Sequence, residues 1–167
     1  MKKTFIIAEA GVNHNGDINL AYKLIDSAVE AKVDAIKFQT WKTENLITKN
    51  VEKAEYQKQT TKDNESQFDM IKKLELPFDD FRKLKTYCDS KGIEFMSTCV
   101  DKESLDFLIS IGLNKIKTSS SDLTNYPFLK NIAIYNTDLI ISTGMSDLND
   151  IQNSLNVLCK YGQNLDN

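Results

Sequence analysis

Five short apolar runs, each followed by a polar turn and an amphipathic segment that ends near a glycine, constrain the fold of this chain most. The runs cover residues 5–8, 33–38, 93–96, 115–117 and 139–141. They are too brief and too apolar for strands with a solvent-facing side, so they predict strands that are buried on both faces. Because strands that alternate with helices are joined by right-handed crossovers, the pattern predicts an α/β fold with a parallel sheet.

Two architectures fit this alternation. Five βα units form a flavodoxin-like doubly wound sheet. They equally form the first five units of a (β/α)₈ TIM barrel, which typically takes about 250 residues, against the 167 of this chain. Periodicity alone leaves both open, and in both a ligand binds beyond the carboxyl ends of the strands.

The predicted helices have recognisable starting residues. Asp17 and Asp101 each precede an amphipathic stripe and are expected to act as N-caps. Ser146 or Asp147 is expected to start the last helix, and Pro77 suits the first turn of a helix that follows it.

The segment 41–76 interrupts the regular pattern. It is polar, follows the second predicted strand, and is too long for an ordinary connection between a strand and a helix. Residues 66–74 are expected to be helical. We interpret the segment as a lid-like insert that contacts substrate, with a passive insertion as the alternative.

Composition excludes several classes of partner. The chain has 21 basic and 24 acidic residues, a net charge of −3, and no basic block, which argues against a nucleic-acid partner. No apolar run approaches the ~20 residues of a membrane span, so no membrane partner is expected. The three cysteines include no CxxC pair, which fits a reducing cytoplasm and disfavours disulfides or a cysteine metal site.

Chemically capable side chains follow every predicted strand. Two lysines with nearby hydroxyl groups suit a phosphate or carboxylate, because each anion oxygen accepts charge-assisted hydrogen bonds. We expect Lys37 and Lys117 to lie on opposite sides of one doubly negative small molecule, although lysines at strand ends are also often simple rim charges. Glu9 beside them would be held ionised or would act as a general acid or base. His14, the single histidine, is expected to stabilise a turn rather than to bind a metal.

Six motifs in order along the chain resemble the nonulosonic (sialic) acid synthase family. They are residues 7–17 (IAEAGVNHNGD), 36–40 (IKFQT), 95–98 (FMST), 115–117 (KIK), 125–127 (NYP) and 140–145 (IISTGM). No single motif is decisive, but the ordered set is specific and spans nearly the whole chain. Within the insert, residues 63–67 (DNESQ) and 72–76 (KKLEL) are most similar to the branch that makes legionaminic acid, followed by N-acetylneuraminate synthases.

The resemblance implies a TIM barrel that condenses phosphoenolpyruvate with an N-acetylmannosamine-type sugar and water, giving a sialic-acid-like nonulosonic acid and phosphate. It also implies a divalent metal, Mn²⁺ or Mg²⁺, and a homodimer in the full-length form. The residues it assigns to phosphoenolpyruvate are Lys37, Thr98, Lys117, Ser120 and Ser142. Gln39 would contact the acceptor sugar, and Glu9 and Asp122 would be the catalytic carboxylates.

The chain departs from the family pattern in two places and in length. Residues 119–122 (SSSD) replace a Gly-Ser-Gly-Glu sequence, and Cys99 stands where a proline is usual. In the family, the last barrel strands supply the metal-binding histidines, and a C-terminal antifreeze-like domain follows. We therefore expect residues 1–167 to be the N-terminal part of a synthase barrel, to lack the metal ligands, and to be inactive in isolation.

Three other functions remain open from the residues alone. The chain could be a non-catalytic anion-binding fragment, or one half of a split synthase. It could also be a lysine-dependent aldolase with Lys117 or Lys37 as the Schiff base. The third alternative is that the chain is a complete flavodoxin-like domain.

Overall fold

A computed structural model describes residues 4–49, 51 and 66–164 of the chain. Its five strands are β1 (Ile7–Gly11), β2 (Ala35–Thr40), β3 (Glu94–Cys99), β4 (Lys115–Thr118) and β5 (Asp138–Ile141). Its helices are α1 (Ile18–Glu30), α2 (Thr43–Leu46), α3 (Gln67–Leu74), α4 (Phe78–Lys91), α5 (Lys102–Ser110), α6 (Tyr126–Ala133) and α7 (Leu148–Lys160), with a 3₁₀ turn at Ser120–Asp122. The predicted alternation of strands and helices is confirmed, with strand boundaries shifted by at most three residues.

Side-chain caps start most of the longer helices. Asp17 accepts a hydrogen bond from the Asn19 N–H, and Asp101 accepts one from the Ser104 N–H, as predicted. Asp147 forms a capping box at the start of α7. Pro77 lies one position outside the helix, as the residue that precedes α4, so its expected place in the first turn was wrong by one residue.

The strand order distinguishes the two architectures. The five strands are all parallel and lie side by side in chain order, β1-β2-β3-β4-β5. A flavodoxin-like sheet has the order 2-1-3-4-5, with helices on both of its faces. Right-handed crossovers that always step in one direction place every helix on the same face, as in a TIM barrel. The flavodoxin-like alternative is therefore wrong, and the chain has the (β/α)₈ TIM-barrel type of α/β fold, with five βα units in its described residues.

The sheet has two chemically different faces, because successive side chains along a strand point in opposite directions. The helix face packs against the helices and carries apolar residues of the core: Ala10, Ile36, Phe38, Phe95, Cys99, Ile116, Leu139 and Ile141. The opposite face, here called the inner face, carries Glu9, Lys37, Gln39, Met96, Thr98, Lys117 and Ile140.

Burial of the strands differs from the expectation at the two edges of the sheet and on the inner face of β4, where Lys115 and Lys117 are half-buried. β2 and β3 are buried on both faces along most of their length. β1 and β5 are not, because each has a neighbouring strand on one side only: Ile7 is half-buried and Ile140 is 36% exposed. Among the described helices none is long and apolar enough to cross a membrane.

The predicted insert is described at its two ends only. Its start contains the short helix α2, and its end contains α3, which begins after the capping residue Ser66. The expected helix at 66–74 is confirmed. Residues 50 and 52–65, the central part of the segment predicted to act as a lid, lie outside the described residues, so that prediction is untested there.

Candidate functional site

The inner face brings together Glu9, Lys37 and Thr98 from three neighbouring strands. Lys37 lies opposite Glu9 in the β1–β2 register, and its ammonium group forms an ion pair with the Glu9 carboxylate. The Lys37 Nζ also donates to the Thr98 Oγ1 at 3.4 Å. The Lys37 side chain is 7% exposed, whereas that of Glu9 is 53% exposed. A buried ammonium group therefore lies at the carboxyl end of the sheet beside a solvent-accessible carboxylate.

Lys117 lies in the next row of the same face. The register aligns Gln39 with Thr98 and Thr98 with Lys117, so these three side chains form one row across β2, β3 and β4. With strands about 4.8 Å apart, the backbones that carry Lys37 and Lys117 are separated by roughly 10 Å. The Lys117 Nζ donates to the Thr118 carbonyl oxygen at 3.2 Å. The two lysines thus occupy one face, on either side of Thr98.

The two ammonium groups influence each other. Burial and the neighbouring Lys37 ammonium lower the pKa of Lys117, while the Glu9 carboxylate acts in the opposite direction. Bringing two like charges together is unfavourable unless an anion lies near both. The arrangement of Lys37, Lys117 and the Thr98 hydroxyl can therefore hold a phosphate or a carboxylate.

Gly11 brings Glu9 and Gln39 near one another at the end of β1. Its φ of +52° is one that side-chain-bearing residues rarely adopt. A Cβ at this position would lie 3.4 Å from Glu9 Oε1 and 3.5 Å from Gln39 Nε2. Both side chains consequently pack against this glycine, which places the predicted catalytic carboxylate beside the amide predicted to contact the acceptor sugar.

Ser120 lies between the ends of β4 and β5. It opens the 3₁₀ turn, whose cap Ser119 makes a hydroxyl contact of 2.8 Å with Ser121. A Cβ on Gly144 would lie 3.3 Å from Ser120 Oγ, so the loop after β5 packs closely on this hydroxyl group. Ser142 directly follows β5 at the same rim and is half-buried.

Asp122 follows β4 in the 3₁₀ turn, and its carboxylate lies near Cys99, a residue of the helix face. Its Oδ1 accepts a hydrogen bond from Asn125 Nδ2 at 3.2 Å, and its buried Oδ2 has no partner among the described residues. Burial raises the pKa of Asp122. Burial also raises the pKa of the Cys99 thiol to about 12, with a contribution from the Asp122 and Asp101 carboxylates. Cys99 is therefore a packing residue, and Asp122 is the predicted site residue with the weakest geometric link to the inner face.

His14 stabilises the loop after β1, as predicted. Its ring is fully buried, and its Nδ1 accepts the Gly16 N–H at 3.1 Å. Burial lowers the pKa of His14, which favours the neutral ring with the proton on Nε2. Among the described residues, no group of three or more His, Cys, Asp or Glu side chains is arranged to hold a metal ion. The residues described here therefore do not fit the divalent metal of the resemblance, whose ligands are predicted to lie elsewhere.

Sequence reasoning missed a buried carboxylate near this rim, that of Glu75. Its side chain is 8% exposed and accepts hydrogen bonds from both the N–H and the hydroxyl of Thr43, 32 residues away. No local pattern indicates such a contact, since Glu75 follows a short polar helix and resembles a solvated terminal residue.

Comparison with known proteins relates the whole arrangement to one group of enzymes. The sequence profile of the NeuB family matches residues 24–165. The chain is 49% identical over 162 residues to the N,N'-diacetyllegionaminic acid synthase of Campylobacter jejuni, covering 97% of this chain and 48% of that protein. It is 48% identical to the enzyme of the same name from Legionella pneumophila, covering 94% of this chain and 44% of that one.

A solved structure gives the same relationship. The N-acetylneuraminic acid (sialic acid) synthetase from Leptospira borgpetersenii, in complex with citrate, superposes with a TM-score of 0.80 at 32% identity. The match covers 96% of this chain and 51% of that one. The chain thus spans about half the length of the relatives that it matches.

Proposed function

Because the chain belongs to the NeuB family, we propose that it is the phosphoenolpyruvate-binding part of a nonulosonic acid synthase. The observation that supports the proposal most directly is the placement of Lys37, Thr98 and Lys117 on adjacent strands of the inner face. Phosphoenolpyruvate carries a phosphate and a carboxylate, and both groups accept hydrogen bonds from ammonium and hydroxyl donors. In this proposal the hydroxyl groups of Ser120 and Ser142 complete the anion site at the rim.

The proposed reaction joins the terminal methylene carbon of phosphoenolpyruvate to the aldehyde carbon of an open-chain sugar. The electrons of the C=C double bond form the C–C bond, the aldehyde oxygen takes a proton, and the carbon that bears the phosphate becomes an oxocarbenium ion. Water adds to that carbon and loses a proton, and the tetrahedral intermediate expels phosphate as its C–O bond breaks. The Glu9 carboxylate is suited to stabilise the cation or to transfer a proton, with Gln39 beside it to contact the sugar. Asp122 has the role of a helper in this proposal, with no step assigned to it.

The relatives favour a particular acceptor. Both curated relatives near 49% identity are named as synthases of N,N'-diacetyllegionaminic acid. We therefore propose a mannosamine-type sugar with two acetamido groups as the acceptor, and N-acetylmannosamine as the second choice. The nonulosonic acid would be made in the cytoplasm, where the phosphorylated substrate is produced.

Turnover is proposed for a longer assembly than this chain. The matched relatives are about twice as long, and the described residues hold no group suited to a divalent metal. We expect the remaining barrel strands, the metal ligands and a homodimer contact to come from the protein segment that corresponds to the unmatched half of the relatives.

Calorimetric titration with phosphoenolpyruvate tests the anion site on this chain. Lys37→Met and Lys117→Met each remove a charged hydrogen-bond donor, so we expect the affinity to fall about 10- to 100-fold in each variant. Lys115→Met is the matched control, because Lys115 lies on β4 of the same face but pairs with Glu94 at 2.9 Å. Its affinity should change less than twofold. Unchanged affinity in both of the first two variants would remove the proposed site.

One observation favours a second candidate, a Schiff-base aldolase. The lowered pKa of Lys117 is a property that such a nucleophile requires. Borohydride reduction in the presence of pyruvate traps a Schiff base as a stable adduct, detected as a mass increase on the peptide that contains Lys117. We expect no adduct, because two neighbouring ammonium groups suit a dianion better than a neutral carbonyl.

A further inference from the structure

A buried carboxylate that the proposed reaction does not use joins the two described ends of the segment 41–76. The Glu75 Oε2 accepts the Thr43 N–H at 2.9 Å and the Thr43 hydroxyl at 2.6 Å. The Trp41 Nε1–H donates in turn to Thr43 Oγ1 at 3.1 Å, and both residues are almost fully buried. Trp41 directly follows β2, so Glu75 is connected to the end of the strand that carries Gln39.

Two ammonium groups compensate the charge of this carboxylate. The Lys72 Nζ lies 3.0 Å from Glu75 and 3.0 Å from Glu44, and the Lys42 Nζ lies 3.7 Å from Glu75. Burial alone would raise the pKa of Glu75, but hydrogen bonds from Thr43 and Lys72 outweigh it and hold the pKa below its ordinary value. Moving a buried carboxylate that accepts hydrogen bonds from this many donors is energetically unfavourable, because each donor would lose its partner.

The same end of the segment touches the loop between β1 and α1. A Cβ built on Gly16 would lie 2.1 Å from the carbonyl oxygen of Lys73, in the last turn of α3. Only a glycine permits this approach of two backbones, and the φ of Gly16, +75°, also favours a glycine. The His14 ring accepts the Gly16 N–H, so the contact is part of the ordered loop that follows Glu9.

The start of the segment 41–76 is also hydrogen-bonded to the loop after β3. Asp101 accepts the Lys42 N–H at 2.9 Å while it caps α5 through the Ser104 N–H at 2.9 Å. The residues after β2 are thus held between the loop after β3 and the carboxylate of Glu75. The backbone at Lys42 and Thr43, to which Glu75 at the end of α3 is hydrogen-bonded, is therefore held in place. The contact of α3 with Gly16 then connects the end of β2 with the end of β1.

We propose that Glu75 is a positioning residue that holds the end of β2 and the β1–α1 loop in one arrangement through α3. Gln39 and Glu9 lie at these two strand ends, so Glu75 sets their relative position on the acceptor side of the site. The proposal rests on the proposed function only in the roles given to Gln39 and Glu9. The physical connection itself can be measured without turnover.

Amide hydrogen exchange measured by mass spectrometry tests this connection. Glu75→Gln keeps the size of the side chain but removes the charge that holds Lys72 and the Thr43 hydroxyl. We expect amides in residues 12–17 and 41–47 to exchange at least tenfold faster in this variant. Glu44→Gln is the matched control, because Glu44 is the exposed partner of the same lysine. Its exchange should change less than twofold in both peptides.

The pattern of exchange separates positioning from local stability. Faster exchange in residues 41–47 and 67–74 with no change in 12–17 would show a purely local role and would overturn the proposal. If Glu75→Gln unfolds the whole chain, which faster exchange in α7 would reveal, Gly16→Ala tests the connection from its other end. A Cβ there must displace α3, and residues 41–47 should then exchange faster; unchanged exchange in them would also overturn the proposal.

Binding and kinetics separate this proposal from the proposed function. Phosphoenolpyruvate affinity, which depends on Lys37 and Lys117, should change less than twofold in Glu75→Gln. In an assembly that turns over, the variant should raise the KM for the acceptor sugar at least fivefold and leave that for phosphoenolpyruvate unchanged, with Glu75→Asp restoring part of the loss. Because Glu9 is one of the two positioned residues, kcat should fall as well; wild-type values of kcat and of both KM values would contradict positioning. Failure of the wild-type chain to bind phosphoenolpyruvate would count against the proposed function and leave the exchange result intact.

Discussion

The helix face and the inner face of the sheet are built from the same five strands and have opposite chemistry. Phe38 and Lys37 are neighbours in sequence, yet Phe38 stacks on Phe95 with ring centroids 5.7 Å apart, while Lys37 pairs with Glu9. Both side chains are at least nine-tenths buried. The pleat of a single strand therefore separates a residue that stabilises the fold from one that is suited to bind an anion.

This difference has an energetic consequence. Burial of an aromatic side chain on the helix face is favourable, whereas burial of an ammonium group carries a desolvation cost that its partners only partly offset. Substitutions on the helix face should therefore change stability, and substitutions on the inner face should change ligand binding.

Phe38→Ala should have the largest effect. The side chain is fully buried, so its removal should lower the free energy of unfolding by about 3–5 kcal/mol, measured by urea denaturation. Phosphoenolpyruvate affinity of the folded protein should change little, because the Phe38 side chain points away from the inner face.

Lys37→Met provides the matched comparison at the adjacent position. It removes a buried charge but keeps an unbranched side chain, and the free carboxylate of Glu9 is half-exposed to water. The free energy of unfolding should change by less than about 1 kcal/mol. A loss as large as that of Phe38→Ala would mean that the ion pair is part of the structural core, and the division between the faces would fail.

The sequence predicted the helix face more completely than the order of the strands. Apolar periodicity and caps such as Asp17 and Asp101 are local, so the elements could be assigned from neighbouring residues. Strand order depends on pairing between distant segments. Flavodoxin-like and barrel sheets share the same local pattern and differ in whether the third strand pairs with the first strand or with the second.

The inner face could be predicted in part, for a physical reason. Parallel strands bring their carboxyl ends to one rim, so polar residues at strand ends, such as Lys37 and Lys117, were expected to meet. The contact between Glu75 and Thr43 could not be predicted, because it joins residues on either side of a long insert. The position of Asp122 near Cys99 depends on the geometry of the 3₁₀ turn, which the sequence did not indicate. The catalytic and binding roles of the site residues stay predictions.

The pH dependence of binding should sharpen the comparison, with a smaller effect than Phe38→Ala. Burial and Lys37 lower the pKa of Lys117, and a bound dianion would raise it again. Binding should then take up a proton above the lowered pKa, and affinity should fall by up to about tenfold per pH unit as the pH rises through it. Calorimetry at several alkaline pH values measures the slope.

Two variants identify the group responsible for that slope. Lys117→Met should bind weakly with a flat profile in the same pH range, because the titrating ammonium is gone. Lys115→Met should keep the wild-type slope, since Lys115 is paired with Glu94 away from the rim. An unchanged slope in Lys117→Met would assign the titration to another group and would separate Lys117 from the anion site.

Gly144→Ala should have a smaller effect, confined to the rim of the inner face. The added Cβ would lie 3.3 Å from Ser120 Oγ, so the hydroxyl must shift by a few tenths of an ångström. We expect phosphoenolpyruvate affinity to fall about two- to fivefold, and the free energy of unfolding to change by less than about 1 kcal/mol. An affinity equal to that of the wild type would indicate that Ser120 does not contact the ligand.

Asp122→Asn should give the smallest effect and the most specific test, because Asp122 is a polar residue beside the helix face. Burial raises its pKa, so between the ordinary value of 3.8 and the raised value the folded chain binds more protons than the unfolded chain. Stability due to this group is therefore present at low pH and is lost as the pH rises through the raised pKa.

Asn cannot ionise, so the variant should be slightly more stable than the wild type at neutral pH, and the difference should vanish near pH 3. Urea denaturation at the two pH values measures it, with Asp138→Asn on β5 as an exposed control. A variant that is less stable at neutral pH would mean that the Asp122 carboxylate has a favourable partner in the folded protein. Asp122 would then resemble the charged residues of the inner face. The distinction between an apolar helix face and a charged inner face would not hold at the end of β4.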